Sequence, residues 1–188
     1  MKIGLLIFVS LALCSGFVYA QTQPTADGNQ AAIFETYPTL KAQVTEYCEA
    51  YVRKDFERHV DLTWPKYGGA SGKQWLLTEI AKGAREIEEY GAAMVSWTPK
   101  DATQLIDESG VLYAVVPTVW KMKGTNPTDT TVCLIAISAD RGENWTFISS
   151  NCICPKREFP QVADRLILCE PKECGGLTSR QESRVIKL

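Results

Sequence analysis

The sequence has one histidine and no long run of lysine or arginine, and both scarcities narrow its function. One histidine cannot form a multi-histidine metal site. The 20 basic residues are balanced by 22 acidic ones and form no basic stripe, so nucleic acid is not expected as a partner. Glycine (13) and proline (9) are too few for a collagen-like or disordered chain, and 45% of the residues are hydrophobic. A single globular domain is therefore expected.

Residues 1–20 have the features of a secretory signal peptide. A positive charge at Lys2 precedes an apolar run, and small or aliphatic residues occupy the cleavage positions. We expect cleavage before Gln21, export to the periplasm or the extracellular space, and a mature chain without a membrane anchor. No later apolar run reaches the roughly 18 residues that a membrane span needs. Residues 21–37 are predicted to form a flexible leader.

Helical periodicity dominates the next part of the chain, and strand-like alternation follows it. Apolar residues recur at helical spacing over Pro38–Lys54, a short helix continues to Leu62, and a third helix runs from near Ser71 to Gly91. Turn residues then separate five strand-like runs, which are 94–98, 103–107, 111–122, 130–139 and 144–149. The sequence predicts an α+β domain over residues 38–150, with three N-terminal helices packed on a curved antiparallel sheet.

Three segments carry a resemblance to a known family. They are residues 51–66 (YVRKDFERHVDLTWPK), 72–77 (GKQWLL) and 133–148 (CLIAISADRGENWTFI). Over about residues 40–149 the chain resembles secreted bacterial members of the nuclear transport factor 2-like superfamily. That resemblance implies a cystatin-like fold in which a curved sheet wraps around long helices into a cone with an apolar mouth. It implies a fold more than an activity, because this fold hosts isomerases, cyclases, dehydratases and binding modules.

The acids that the steroid-isomerase relatives use are not found in this chain. Tyr47 matches the tyrosine of their first helix, but residues 64–72 and 111–120 contain no Asp or Glu. Without a base, proton abstraction next to a ketone cannot start. We therefore expect no catalytic residue and no cofactor. The leading interpretation is a non-enzymatic domain that binds an apolar small molecule or a protein partner in or beside the cone.

Two alternatives stay open. One is a cofactor-free lyase or isomerase of the steroid-isomerase or polyketide-cyclase type, in which Tyr47 acts beside an acid such as Asp61 or Asp107; a buried carboxylate with a raised pKa would favour it. The other is a structural homodimer that uses the outer face of the sheet. His59 is a residue type often used as a general base near neutral pH, but its place in a short helix favours a surface or partly buried position.

Aromatic side chains are the candidates for lining a ligand cavity. Aromatic residues pack cores more often than ligand sites, so core packing is the alternative for each of them. A cone that keeps an opening would present some of them to an apolar ligand. The candidates are Tyr47, Tyr51, Trp64, Trp75, Tyr113, Trp120 and Phe147.

One hairpin carries a recognisable motif, the Ser-x-Asp-x-Gly-x-x-Trp spacing of an Asp-box, at Ser138, Asp140, Gly142 and Trp145. Asp140 is expected to accept backbone N–H bonds across the turn, Gly142 to take a positive φ, and Trp145 to close over the hairpin. A single copy in a short chain indicates a structural hairpin and not a glycosidase, whose fold repeats such units.

Six cysteines remain after cleavage, and an even number in an exported chain predicts disulfides. In the Cys-rich tail (residues 151–188), Cys152 and Cys154 are two residues apart in extended chain and do not readily bridge each other, so they are predicted to pair with Cys169 and Cys174. These four disulfide candidates are Cys152, Cys154, Cys169 and Cys174. Their spacing lacks the Cys-x2-Cys of zinc sites, so no metal is expected. Two more, expected as buried thiols or as one internal bridge, are Cys48 and Cys133.

Overall fold

Helices pack against a strongly curled antiparallel sheet that forms half of a barrel, which is an α+β architecture. The computed structural model describes residues 30–124 and 129–169. The predicted signal peptide and Cys174 lie outside the described residues. No helix among the residues described is long and apolar enough to cross a membrane.

In the described part of the chain, four α-helices and one 3-10 helix precede the sheet. They are α1 (Gln30–Thr36), α2 (Pro38–Val52), α3 (Phe56–Asp61), the 3-10 helix Pro65–Ser71 and α4 (Gly72–Glu89). The sequence predicted three helices, and α1 is a fourth. It lies within residues 21–37, which were predicted to form a flexible leader. A seven-residue helix is too short to be stable alone, and here the buried Phe34 anchors α1 in the core.

Local sequence explains where α2 ends and α3 begins. Pro38 opens α2, where its fixed φ suits the first turn and its missing N–H is not needed. Lys54 takes a φ of 62°, which turns the chain out of the helix. Asp55 then caps α3, because its side chain accepts a hydrogen bond from the backbone N–H of Arg58 at 3.1 Å.

The sheet has five strands: β1 (Ala93–Pro99), β2 (Gln104–Glu108), β3 (Val111–Lys123), β4 (Asp129–Ser138) and β5 (Thr146–Ser149). Each lies within two residues of a predicted strand. The order is β1-β3-β4-β5, and β2 pairs with the first half of β3 while β1 pairs with its second half. Segment 62–64 covers the outer edge of β5, since the backbone of Phe147 bonds to Leu62 and Trp64 at 2.8 and 2.9 Å.

Successive side chains of a strand point to opposite faces, so the sheet separates two apolar layers. The helix face packs against α1 and α2, and its buried sheet residues are Trp97, Leu112, Ala114, Val116, Leu134, Ala136 and Phe147. The opposite face carries Tyr113, Ile135, Ile137 and Ile148. We call it the strap face, because residues 151–169, the strap, cover it.

The strap is a folded second layer. It contains α5 (Pro155–Glu158) and the 3-10 helix Ala163–Arg165, and its apolar residues on the strap face are Ile153, Phe159, Val162, Leu166 and Leu168. The Gln104 side chain donates to the carbonyl of Arg165 at 2.7 Å and accepts from the N–H of Ile167 at 3.0 Å. An ion pair joins Arg165 to Glu108. The outer face of the sheet near β2 and β4 is therefore occupied by the chain itself.

The disulfide pairing differs from the predicted one. Cys169 bonds to Cys133 of β4 and thereby ties the end of the strap to the sheet. Cys154 is also disulfide-bonded. Cys152 was predicted to join a bridge, but it carries a thiol that shares a side-chain hydrogen bond with Tyr67. Cys48 is a buried thiol on α2, so it does not bridge to Cys133. Cysteine spacing along the chain could not reveal that the strap folds back onto β4.

Candidate functional site

The predicted cavity residues do not line one common space. Four of them lie on the helix face: Tyr47, Tyr51, Trp120 and Phe147. Trp64 and Tyr113 lie on the strap face, where both rings contact Phe159 at centroid distances of 4.7 and 5.7 Å. Trp75 is 43% exposed on α4. The sheet stands between the first two groups, so only the helix-face residues can contribute to a single site.

Those helix-face residues belong to a cluster that we call the aromatic cluster: Tyr47, Tyr51, His59, Trp97, Trp120 and Phe147. The Tyr47 ring stacks on His59 at 4.0 Å and lies 5.2 Å from Phe147. Trp97 lies 5.7 Å from Tyr51 and 5.3 Å from Trp120. Trp97 was not predicted as a site residue. Its signal in the sequence was its position in the strand-like run 94–98, and the structure places it directly across from Trp120.

His59 is buried, with 4% of its surface exposed, which corrects the prediction of a surface or partly buried residue. Its Nδ1 lies 2.9 Å from the carbonyl oxygen of Tyr47. A carbonyl only accepts hydrogen bonds, so Nδ1 carries the proton of the neutral ring. Burial lowers the pKa of His59 to about 4, and the imidazole is therefore uncharged at neutral pH.

Tyr47 is equally enclosed. Burial raises the pKa of its phenol well above 10, and the phenol shares a side-chain hydrogen bond with Thr63. Thr63 in turn donates to the carbonyl of His59 at 3.0 Å. The phenol of this predicted cavity residue is thus part of a hydrogen-bonded link between α2 and the end of α3.

No Asp or Glu among the described residues is buried. Asp61 forms an exposed ion pair with Lys73. Asp107 accepts a hydrogen bond from the N–H of Gly110 at 2.9 Å in the turn after β2. The structure therefore does not bring either candidate acid into the core beside Tyr47.

Two polar groups of the aromatic cluster have no hydrogen-bond partner among the residues that the structure describes. They are the buried indole nitrogens of Trp97 and Trp120. A buried donor left without an acceptor costs about 1–3 kcal/mol, so such groups in a folded protein call for an explanation. The two residues are direct cross-strand partners on β1 and β3, which places both donors in the same part of the helix face.

A hollow of about 30 Å³ adjoins the aromatic cluster between α2, α4 and β1. Tyr51, Val52 and Met94 belong both to its lining and to the residues packed on the core. The remaining lining residues are Lys54, Ala84, Ile87, Glu88 and Ala93. Lys54 and Glu88 form an ion pair, so the charges of the hollow compensate each other.

The Asp-box hairpin has a structural role and holds the N-terminal part of α2. Asp140 accepts hydrogen bonds from the Asn144 N–H at 2.9 Å and from the Ser138 hydroxyl at 2.7 Å, and such bonds lower its pKa to about 2. Gly142 has a φ of 96°, and a Cβ there would meet the Tyr37 ring at 2.5 Å. Trp145 donates its indole N–H to the Gly142 carbonyl at 3.0 Å. Two side chains of α2 also bond to this hairpin: Thr39 donates its hydroxyl to the Gly142 carbonyl at 2.5 Å, and Gln43 accepts from the backbone N–H of Trp145 at 2.8 Å.

No group of three or more His, Cys, Asp or Glu side chains within residues 30–124 and 129–169 could hold a metal ion. No protein-family model, no curated protein and no solved structure matches the chain. The geometry of the helix face is therefore the basis for a functional proposal.

Proposed function

We propose that this chain is an exported, non-enzymatic binding domain of the nuclear transport factor 2-like type, and that it holds a small apolar molecule between α4 and the aromatic cluster. The observation that carries the proposal is the incomplete burial of α4. This helix presents an apolar stripe at helical spacing, yet Leu76 is its one buried residue among those described. The rest of the stripe stays half-buried: Ile80, Ala84 and Ile87.

The half-buried stripe borders the hollow. Ala84 and Ile87 form one wall, and Tyr51 and Met94 form the other. An apolar molecule between these walls would remove exposed hydrocarbon from water at about 25 cal/mol per Å². Apolar surface that the chain leaves uncovered at a concave place is what a ligand of this class requires.

The hollow of about 30 Å³ must widen to hold such a molecule, since ligand pockets are typically about 300–1,000 Å³. The placement of α4 favours this widening. The helix packs mainly on α3 and the 3-10 helix before it, and makes few contacts with the sheet. Gly72 and Gly91, with φ values of 66° and 76°, bound it at both ends. A small outward shift of α4 would open the hollow without disturbing the strands.

The state of the titratable groups supports binding over catalysis. His59 is neutral and its Nδ1–H is bonded to Tyr47, while the Tyr47 phenol is bonded to Thr63. Both groups lie in the aromatic cluster, and no carboxylate of the described residues is buried beside them. Proton abstraction from a carbon acid needs a positioned base, so the lyase or isomerase alternative is less well supported.

Two other features of the structure support the export and the fold type in this proposal. Disulfides such as Cys133–Cys169 persist in oxidising compartments, which agrees with the predicted signal peptide. The curled antiparallel sheet with helices on one face is compatible with a cone-like fold. Intact mass of the secreted protein tests cleavage, because a chain beginning at Gln21 is expected and a chain that retains residues 1–20 would contradict export by this signal.

Binding is tested with the neutral fluorescent probe N-phenyl-1-naphthylamine. We expect saturable enhancement of its fluorescence by the wild-type protein, and an affinity at least tenfold lower for Ala84→Phe, which fills the hollow. The matched control is Lys82→Phe, which adds the same ring at an exposed position of α4 and should leave the affinity unchanged. Equal affinities of the two variants, or no saturable binding by the wild type, would contradict the proposal.

A further inference from the structure

We propose that the indole N–H groups of Trp97 and Trp120 form a two-donor site for one uncharged acceptor oxygen, so that the ligand is an apolar ketone, ester or amide. This inference rests on the proposed function and adds the chemistry by which the ligand is recognised. It starts from the two buried nitrogens that lack a partner in the described residues.

The missing partners are specific to these two side chains. Elsewhere in the same core, Trp145 donates its indole N–H to the Gly142 carbonyl at 3.0 Å. The buried hydroxyl of Thr118 donates to the Val132 carbonyl at 2.8 Å. The fold therefore satisfies buried polar side chains where the chain supplies an acceptor. For Trp97 and Trp120, the described part of the chain supplies no acceptor.

The geometry of the pair favours one shared acceptor. Trp97 and Trp120 lie directly opposite each other on β1 and β3, with their ring centroids 5.3 Å apart. An indole nitrogen is a donor only, so the two groups cannot satisfy each other. A carbonyl oxygen has two lone pairs and can accept from two donors at once.

The surroundings favour an uncharged ligand. Tyr51 and His59, which contact Trp97, are neutral at pH 7, because burial raises the pKa of the phenol and lowers that of the imidazole. The charged residues of the adjoining hollow, Lys54 and Glu88, are paired with each other. A carboxylate would therefore enter an apolar site without a cation, whereas a ketone, ester or amide meets two neutral donors and aromatic walls.

The position of the pair links it to the hollow. Tyr51 and Met94 line the hollow and also pack on the core that contains Trp97. Trp97 itself is 6% exposed, while Trp120 is only partly buried, so the pair lies at the border of the core. An apolar body in the widened hollow would bring its acceptor oxygen toward the indoles once the Tyr51 ring turns aside.

The test uses a matched pair of probes, 2-acetylnaphthalene and 2-isopropenylnaphthalene, which have similar shapes but differ in the acceptor oxygen. Wild-type protein labelled with ¹⁵N in its tryptophan indoles is titrated with each while the indole N–H resonances are recorded. We expect the ketone to bind at least tenfold more tightly than the hydrocarbon. Only the ketone should move two resonances downfield by hydrogen bonding, and the Trp145 resonance should stay in place.

Variants assign the resonances and provide the controls. Trp120→Phe and Trp97→Phe should each remove one of the two moving resonances and reduce the preference for the ketone to under threefold. Trp75→Phe, at an exposed position, should leave the preference unchanged. Because the first measurement uses the wild-type protein, it stands even where Trp97→Phe fails to fold.

The outcomes separate the two proposals. Equal binding of both probes, with unmoved indole resonances, would overturn the two-donor site and leave the apolar binding function intact; the donors would then be satisfied by water alone. Failure of both probes to bind would contradict the binding function, and the two-donor site with it.

Discussion

The two faces of the sheet are packed to different degrees. The strap face is completed by the chain itself: apolar strap residues cover it, Gln104 and Arg165 hold the strap by hydrogen bonds and an ion pair, and Cys133–Cys169 fastens its end. The helix face is only partly completed. Two of its indole donors find no acceptor within residues 30–124 and 129–169, and the apolar stripe of α4 is half-buried.

This difference indicates which face is available for function. A face that the chain covers and fastens contributes stability, and a partner would first have to displace the strap. A face with unsatisfied donors and uncovered apolar surface gains most from a ligand. We therefore expect the strap face to contribute mainly to stability, and the ligand that we propose would bind on the α4 side of the helix face.

The strongest test of the strap face removes its central ring. Phe159 is 2% exposed and contacts both Trp64 and Tyr113. Phe159→Ala should lower the free energy of unfolding by about 3–5 kcal/mol, because it opens a cavity in a packed layer. Denaturant unfolding measures the loss. The control Ile167→Ala, at a strap position that is 74% exposed, should change stability by no more than about 0.5 kcal/mol. Similar small effects of both variants would mean that the strap is only loosely attached.

The disulfide gives the next largest expected effect. Cys133 and Cys169 are separated by 36 residues, and opening the loop that they close raises the entropy of the unfolded chain. Replacing both by alanine should lower the free energy of unfolding by about 2–4 kcal/mol. Cys152→Ser, at an exposed thiol, is the control and should leave stability near the wild-type value. A loss as small as that of the control would show that the strap holds without its covalent fastening.

A pH titration tests the burial of His59 on the helix face. His59 has a pKa of about 4 in the folded protein and an ordinary value near 6.5 in the unfolded chain. The unfolded chain binds this proton first, so the contribution of His59 to stability is unchanged well above pH 6.5 and becomes unfavourable as the pH drops toward 4. At pH 5 the loss should reach about 2 kcal/mol.

Urea unfolding at pH 7 and pH 5 measures this dependence. The control is His59→Asn, which keeps a donor for the Tyr47 carbonyl but does not titrate in this range. The difference in stability between wild type and variant should therefore change between the two pH values. A difference that is independent of pH would show that His59 is more accessible than its 4% exposure indicates.

Much of the fold could be predicted from periodicity. The strands follow the alternation of apolar residues, and α2 follows the stripe that begins at Leu40. Both patterns are local consequences of burying one face. The strap has no such pattern, because its anchors Ile153, Phe159 and Val162 follow an irregular path over the sheet. Its packing depends on contacts between residues far apart in the chain, which no local period encodes.

The candidate site could be predicted in part. The sequence singled out Tyr47, Tyr51 and Trp120, which do meet on the helix face, but it grouped them with Trp64 on the opposite face. Side-chain alternation could not resolve this, because Trp64 enters its layer from a connecting segment. The burial of His59 was missed because α3 has six residues, too few to define a buried stripe.

The smallest expected effect concerns Tyr47 and separates a structural phenol from a binding one. Its hydroxyl is bonded to Thr63, so Tyr47→Phe should lower the free energy of unfolding by about 0.5–1.5 kcal/mol, the net value of one hydrogen bond. The affinity for N-phenyl-1-naphthylamine should stay within twofold, because the hydrogen bond lies inside the core and not at the hollow. Thr63→Val and the double variant complete a mutant cycle, in which the coupling between the two side chains should account for most of the loss. A tenfold drop in probe affinity without a loss of stability would place the phenol in the binding site, and the helix face would then bind its ligand deeper than the hollow beside α4.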